Sequence, residues 1–247
     1  MRLALSSAAA RDLSLVELLD ASERRGLAGI ELVEGDSHSV GPECVHERVL
    51  EVGAEARKRG VEIAAFRTQR LERAAEPAMV RLAFGLDAPI VVPFDPITGD
   101  RALLEEAGER YDAIGARLLL EHHLGGDALP ELLALIERIP GEGVGIAWDA
   151  DPNVGHLGAA AAQILAEAGP HLRHIRLRGG GPETAQTEGQ GIGSLIGRLT
   201  LAHYHHYLAV RPSTLRFHYA WKAWLGRARG GWGCGSKSAD ESLVNLA

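Results

Sequence analysis

Eight times along this chain a short apolar run gives way to an amphipathic stretch, with run starts about 26 to 35 residues apart. The apolar runs are Arg2–Ser7, Ala28–Val33, Glu62–Arg67, Pro89–Phe94, Arg117–His122, Val144–Asp149, Arg173–Arg178 and Tyr207–Pro212. Helical spacing marks Asp12–Arg25, Glu43–Arg59, Arg73–Leu86, Asp100–Gly115, Asp127–Arg138, Leu157–Ala168 and Ile192–Tyr204 between them, and Ser213–Arg227 after the last. Buried parallel strands read as near-continuous hydrophobic runs. Strands alternating with helices imply a parallel sheet. Eight such units in 247 residues predict closure into a (β/α)8 TIM barrel. A doubly wound open sheet shares the alternation and is the alternative. Asp12 and Asp100 suit helix N-caps, and Gly26, Gly60 and Gly115 sit where helices should stop. The barrel is expected to span residues 1–228 as one domain, followed by a Gly/Ser-rich extension, 229–247, around Trp232.

Composition narrows the function classes. The formal charge of -7 argues against a nucleic-acid partner, which usually needs a basic face. The cysteines, Cys44 and Cys234, are far apart and suggest a reducing compartment without a disulfide framework. No apolar run approaches the roughly 18 residues of a membrane span. The start, Met1-Arg2-Leu3-Ala4-Leu5, has too short an apolar core for a signal peptide and reads as a first strand. A cytoplasmic protein with a small-molecule partner is the expectation. Trp221 and Trp224, three apart, pack their helix on the barrel or on a second subunit, which leaves a homodimer open.

Two runs end abruptly in a carboxylate: Leu118-Leu119-Leu120-Glu121-His122-His123 and Gly145-Ile146-Ala147-Trp148-Asp149. The last position of a barrel strand lies at the C-terminal face, where such barrels place their chemistry. Glu31, Phe66, Arg67 and Phe94 occupy equivalent strand ends and are candidates to line the same mouth. His123 is a candidate substrate contact and His156 a candidate ligand or proton donor. His203, His205 and His206 fall before strand 8, so they belong to the opposite, stabilising face and are a weak metal candidate. The Gly-rich stretch 179–193 follows strand 7, where barrels often bind phosphate, but lacks the Lys-Ser/Thr of a P-loop.

Several segments resemble the xylose isomerase-like TIM barrels of the sugar phosphate isomerase/epimerase superfamily. Arg25-Gly26-Leu27-Ala28-Gly29-Ile30-Glu31-Leu32 is similar to that family's strand 2, Leu120-Glu121-His122-His123 to its strand 5, and Ile146-Ala147-Trp148-Asp149-Ala150-Asp151-Pro152-Asn153 to its strand 6. Gly189-Gln190-Gly191-Ile192-Gly193 and His203-Tyr204-His205-His206-Tyr207 resemble the stretch before its strand 8. The resemblance covers roughly residues 2–228 and implies one divalent metal (Mn, Mg or Zn) held by a strand 5 Glu, a strand 6 Asp, a strand 7 His and a strand 8 Glu. Glu121 and Asp149 match the first two, but Arg176 and Arg211 stand at the other two positions. A guanidinium has no lone pair and cannot ligate a metal, so no cofactor is expected. Two carboxylates facing two arginines are charge-balanced without an ion and suit planar forks.

Two functions follow from the resemblance and this departure. The first is a sugar isomerase/epimerase-like enzyme acting on a small sugar, polyol or keto acid. Glu121 and Asp149 would be its catalytic pair, and Glu31, Arg67, His123, Arg176 and Arg211 would contact substrate. The second is a non-catalytic barrel whose arginines bind a small anionic ligand, or which serves as a partner subunit. The family's branch acting on abasic DNA needs a metal cluster rich in His and Glu, which this acidic chain lacks.

Overall fold

The structure, a computed structural model, describes residues 1–9, 13–36, 38, 40–123, 128–151, 157–177, 195 and 197–210. Eight parallel strands close into a barrel in chain order: β1 (Arg2–Ser6), β2 (Gly29–Val33), β3 (Glu62–Arg67), β4 (Ile90–Pro93), β5 (Leu118–His122), β6 (Val144–Ala150), β7 (Leu172–Leu177) and β8 (Tyr207–Val210). Closure is made by β1 and β8, paired in register from Arg2 with Tyr207 to Leu5 with Val210. That pairing removes both sheet edges and excludes the open-sheet alternative. Helices α1 (Leu15–Arg25), α2 (His46–Lys58), α3 (Leu71–Ala75), α4 (Pro77–Leu86), α5 (Arg101–Ala113), α6 (Ala128–Ile136) and α7 (Leu157–Ala168) fall between strands.

Alternation sorts the strand residues into two cores. In β2, Ile30 and Leu32 are buried on the helix side, which leaves Glu31 on the barrel side. Inside the barrel, Ala65, Val91, Leu119 and Ala147 form one cluster. Ala4, Ala64 and Ala209 form another, with Tyr207 packed against it. The sheet shifts register between Ile30 and Glu31 and again between Ile146 and Ala147, beneath the two carboxylate-bearing positions Glu31 and Asp149.

Two helix expectations are corrected. Helix α1 starts at Leu15, not Asp12, because Ser14 and Glu17 form a capping box: the Ser14 hydroxyl accepts from the Glu17 N–H, and Glu17 accepts from the Ser14 N–H. The expected helix Arg73–Leu86 is two helices. Pro77 holds the preceding Glu76 extended, at φ -64° and ψ 139°, and then serves as the first residue of α4. Asp100 caps α5 through the Leu103 N–H (3.0 Å), and Gly26 ends α1 in the left-handed conformation (φ 63°), both as expected. The Gly-rich stretch 179–193, His156, Arg211, the last helix and the extension 229–247 lie outside the described residues. Among the described residues, no helix is long and apolar enough to cross a membrane.

Candidate functional site

Among the described residues, five charged or titratable side chains are buried inside the barrel: Glu31 is 0% exposed, Glu121 5%, Asp149 1%, His174 1% and Arg176 4%. Charges survive such burial only when paired, and each has a partner drawn from a different strand. Arg176, on β7, lies in register with Asp149 on β6. Its Nε donates to Asp149 Oδ1 (3.1 Å) and its Nη2 lies 2.9 Å from Oδ2. The same Nη2 reaches Glu121 Oε1 on β5 at 2.7 Å. Arg67, ending β3, takes the other Glu121 oxygen, with Nη2 at 2.5 Å and Nε at 3.0 Å from Oε2. His123 Nδ1 lies 3.4 Å from Asp149 Oδ2, with the ring largely exposed. One guanidinium therefore bridges the two strand-end carboxylates, and a second closes the free side of Glu121.

Below this layer, one alternation step deeper on β7, His174 Nε2 lies 2.8 Å from Glu31 Oε2. Ser6, ending β1, donates to the other oxygen at 2.7 Å. Burial alone would push the Glu31 carboxyl up. The hydrogen bond and charge of His174, the charge of Arg176 and the Ser6 hydrogen bond outweigh it and hold the group at about 2. For Arg176, burial works against the charge, while Glu31, Asp149 and Glu121 together raise its pKa above the usual value. Two buried nitrogens of the cluster, Arg176 Nη1 and His174 Nδ1, have no hydrogen-bond partner among the described residues.

The rim is tied down around this centre. The Ser7 hydroxyl accepts from the Val33 N–H (3.0 Å) and donates to Asp36 (2.7 Å), joining the ends of β1 and β2. Glu34 accepts from Thr68 and from Arg73 Nε (2.8 Å), joining the loops after β2 and β3. His122, half-buried, has its protonation held down by burial first and then by neighbouring His123, against an opposing pull from Asp95.

A divalent ion does not fit the described residues of this centre. Glu121 and Asp149 are the only acidic groups at the strand ends matched to metal ligands, and Arg176 already lies between them. Among the described residues, no group of three His, Cys, Asp or Glu side chains could hold a metal, the His203, His205 and His206 set included.

The structure thus brings together Glu31, Arg67, Glu121, Asp149 and Arg176, with His123 at the rim. Phe66 is fully buried and Phe94 nearly so. Arg211 and His156 lie outside the described residues. What the sequence reading missed is that Glu31 is not a rim residue but a buried partner of His174 and Ser6. The available signal was Ser6 itself, a polar residue ending an apolar run as Glu121 and Asp149 do.

Neither a protein-family model nor a curated protein matches the sequence. Solved structures do match its fold. A xylose isomerase domain protein from Planctomyces limnophilus superposes with a TM-score of 0.64 at 15% identity, covering 91% of this chain and 94% of that one. A 3-keto-D-glucoside 4-epimerase from E. coli gives 0.63 at 15%, covering 93% and 99%. A probable 3-DHS dehydratase of petrobactin synthesis from Bacillus anthracis gives 0.61 at 13%, covering 90% and 97%. The chain shares the TIM-barrel fold of these structures, at a sequence distance where fold does not fix chemistry.

Proposed function

We propose that this chain is a sugar isomerase/epimerase-like enzyme that moves a proton next to the carbonyl of a small sugar, polyol-derived ketone or keto acid, without a bound metal. The observation that carries this reading is Arg176 lying between Glu121 and Asp149, where the resembling family would hold its ion. A fixed cation there stabilises the negative charge that develops on the substrate oxygen during enolisation. Glu121 is the proton acceptor. Asp149 holds Arg176 in the plane that serves Glu121. Arg67 is the more exposed of the two Glu121 partners, at 13% against 4% for Arg176. A ligand entering the mouth meets Arg67 first, and an oxygen that recruits its N–H groups frees Glu121 Oε2 to take the proton. Sugar epimerases and isomerases of the same fold support the substrate class.

The test is incorporation of solvent deuterium beside the carbonyl of a panel of ketoses and keto sugars, read by NMR with a chelator present. Exchange by the wild-type chain, lost in Glu121→Gln with the fold intact, is expected. Exchange that needs added Mn²⁺ or Mg²⁺ overturns the metal-free centre, and no exchange on any substrate overturns the enzyme. One observation favours a second reading, a non-catalytic barrel for a small anionic ligand: every oxygen of Glu121 and Asp149 already accepts from a cationic side chain. Saturable ligand binding without exchange is its signature.

A further inference from the structure

The opposite, N-terminal end of the barrel opens into a cleft of about 470 Å³. It is lined by the starts of β3, β5, β7 and β8 and by the end of α4, including Phe84, Asp87, Arg117, Arg173 and His206. We propose that this cleft is a second binding site, for a small organic ligand bearing an oxyanion, phosphate or carboxylate, held between Arg117 and Arg173.

Three observations converge on that chemistry. First, Arg173 is a half-buried guanidinium with no carboxylate within ion-pair distance among the described residues. Its Nη1 faces His206 Nε2 at 3.1 Å, so that ring nitrogen accepts and brings no counter-charge. Arg117 is fixed by Glu142, through the carboxylate (2.5 Å) and the backbone carbonyl, and the Glu62 carboxylate is occupied by Arg2 and the Tyr207 hydroxyl. Second, His206 is protonated less readily than usual. Burial is the first cause, and Arg173, Arg117, His205 and His174 all act in the same direction with no carboxylate opposing them. The carboxylates around the cleft are Glu142, held by Arg117 with Arg173 acting on it from further off, Glu62, held by Arg2, and Asp87; among the described residues none pairs directly with Arg173, which leaves its guanidinium to an anion. Third, the cleft is walled on the barrel side by the small residue Ala64, which with Ala4 and Ala209 forms the buried layer that Tyr207 packs against. The volume falls in the range of small-molecule pockets. Phe84, 59% exposed, and Ile114 give the organic part of the ligand an apolar wall.

The site lies at the other end of the barrel from Glu121 and does not rest on the proposed catalysis. Thermal unfolding of the full chain is followed against inorganic phosphate and against citrate, with ionic strength held constant by NaCl. The expected result is a saturable rise in Tm with at least one anion. The apparent affinity should weaken about tenfold or more in Arg173→Gln, the loss of a charge-assisted contact, and stay unchanged in Arg67→Gln at the opposite end. Phosphate alone identifies a phosphorylated ligand and citrate alone a carboxylated one. A rise that never saturates, or that is equal in Arg173→Gln and wild type, overturns the site, as does a response lost in Arg67→Gln but kept in Arg173→Gln. Arg117→Gln replaces Arg173→Gln if the latter fails to fold, with the same outcomes.

Discussion

Replacing Arg176 with alanine would leave Glu121 and Asp149 buried without their shared cation, and breaking a buried pair in this way costs ~3–5 kcal/mol. Urea unfolding of Arg176→Ala should show a loss of that order, and a loss below 1 kcal/mol would mean water or another cation takes its place. Glu31 makes a prediction of opposite kind, in pH. Its folded-state pKa of about 2 lies below the ordinary 4.5, so on acidification the unfolded chain takes up this proton first. The stabilisation is complete above about pH 4.5 and fades as pH falls toward 2. Acid unfolding of the wild type should therefore contain a component in that window that Glu31→Gln lacks, and superimposable acid profiles would refute the assignment. Of these residues, Glu121 and Asp149 were legible in the sequence because each interrupts an apolar run at a strand end, and Arg176 because it stands at a ligand position of the resembling family. The fork of Arg176 on the two carboxylates was expected from the resemblance, but the partners Arg67 and His174 were not. Arg67 closes Glu121 from 54 positions away and His174 meets Glu31 from 143 away, and hydrophobic periodicity carries no information about which interior residues face one another across a barrel.

Helix ends follow local chemistry, so they respond to local changes. Ser14→Ala removes one half of the α1 capping box and should lower stability by about 1 kcal/mol, without altering ligand binding at either end of the barrel. Chemical denaturation measures the first, titration the second. On β2, Gly29 is required by contact rather than by conformation: an added Cβ would stand 2.8 Å from Tyr207 Cε1 and 3.0 Å from the Glu62 carbonyl. Gly29→Ala should destabilise by ~1–3 kcal/mol through overpacking, and a neutral result would show that Tyr207 can retreat. Most of the eight strands were readable because they are near-continuous apolar runs; β7, with Arg173, His174 and Arg176, is the exception. The boundaries that slipped did so for physical reasons: a Ser/Glu box outcompeted Asp12 as the start of α1, and Pro77 cut one amphipathic stretch into two.

At the scale of the molecule, the barrel depends on β8 for both of its last pairings, to β7 and to β1. Chains ending before Tyr207 would expose two unpaired strand edges, an aggregation hazard. They should lose the cooperative unfolding transition seen by circular dichroism in the full chain. Survival of that transition would mean that the remaining seven strands close on themselves. Closure was predictable from the count of βα units, whereas the cleft at the barrel's N-terminal end was not, because its lining comes from helix ends and strand starts far apart in sequence. The guanidinium at the centre has a consequence for where such a protein can operate. A cation that belongs to the chain cannot be stripped by a chelator or exchanged for a competing metal of higher affinity. Under the proposed metal-free reading, scarcity of trace elements would leave the barrel's centre intact, and what it would give up in return is Lewis acidity, since Arg176 can donate hydrogen bonds but cannot accept an oxygen lone pair.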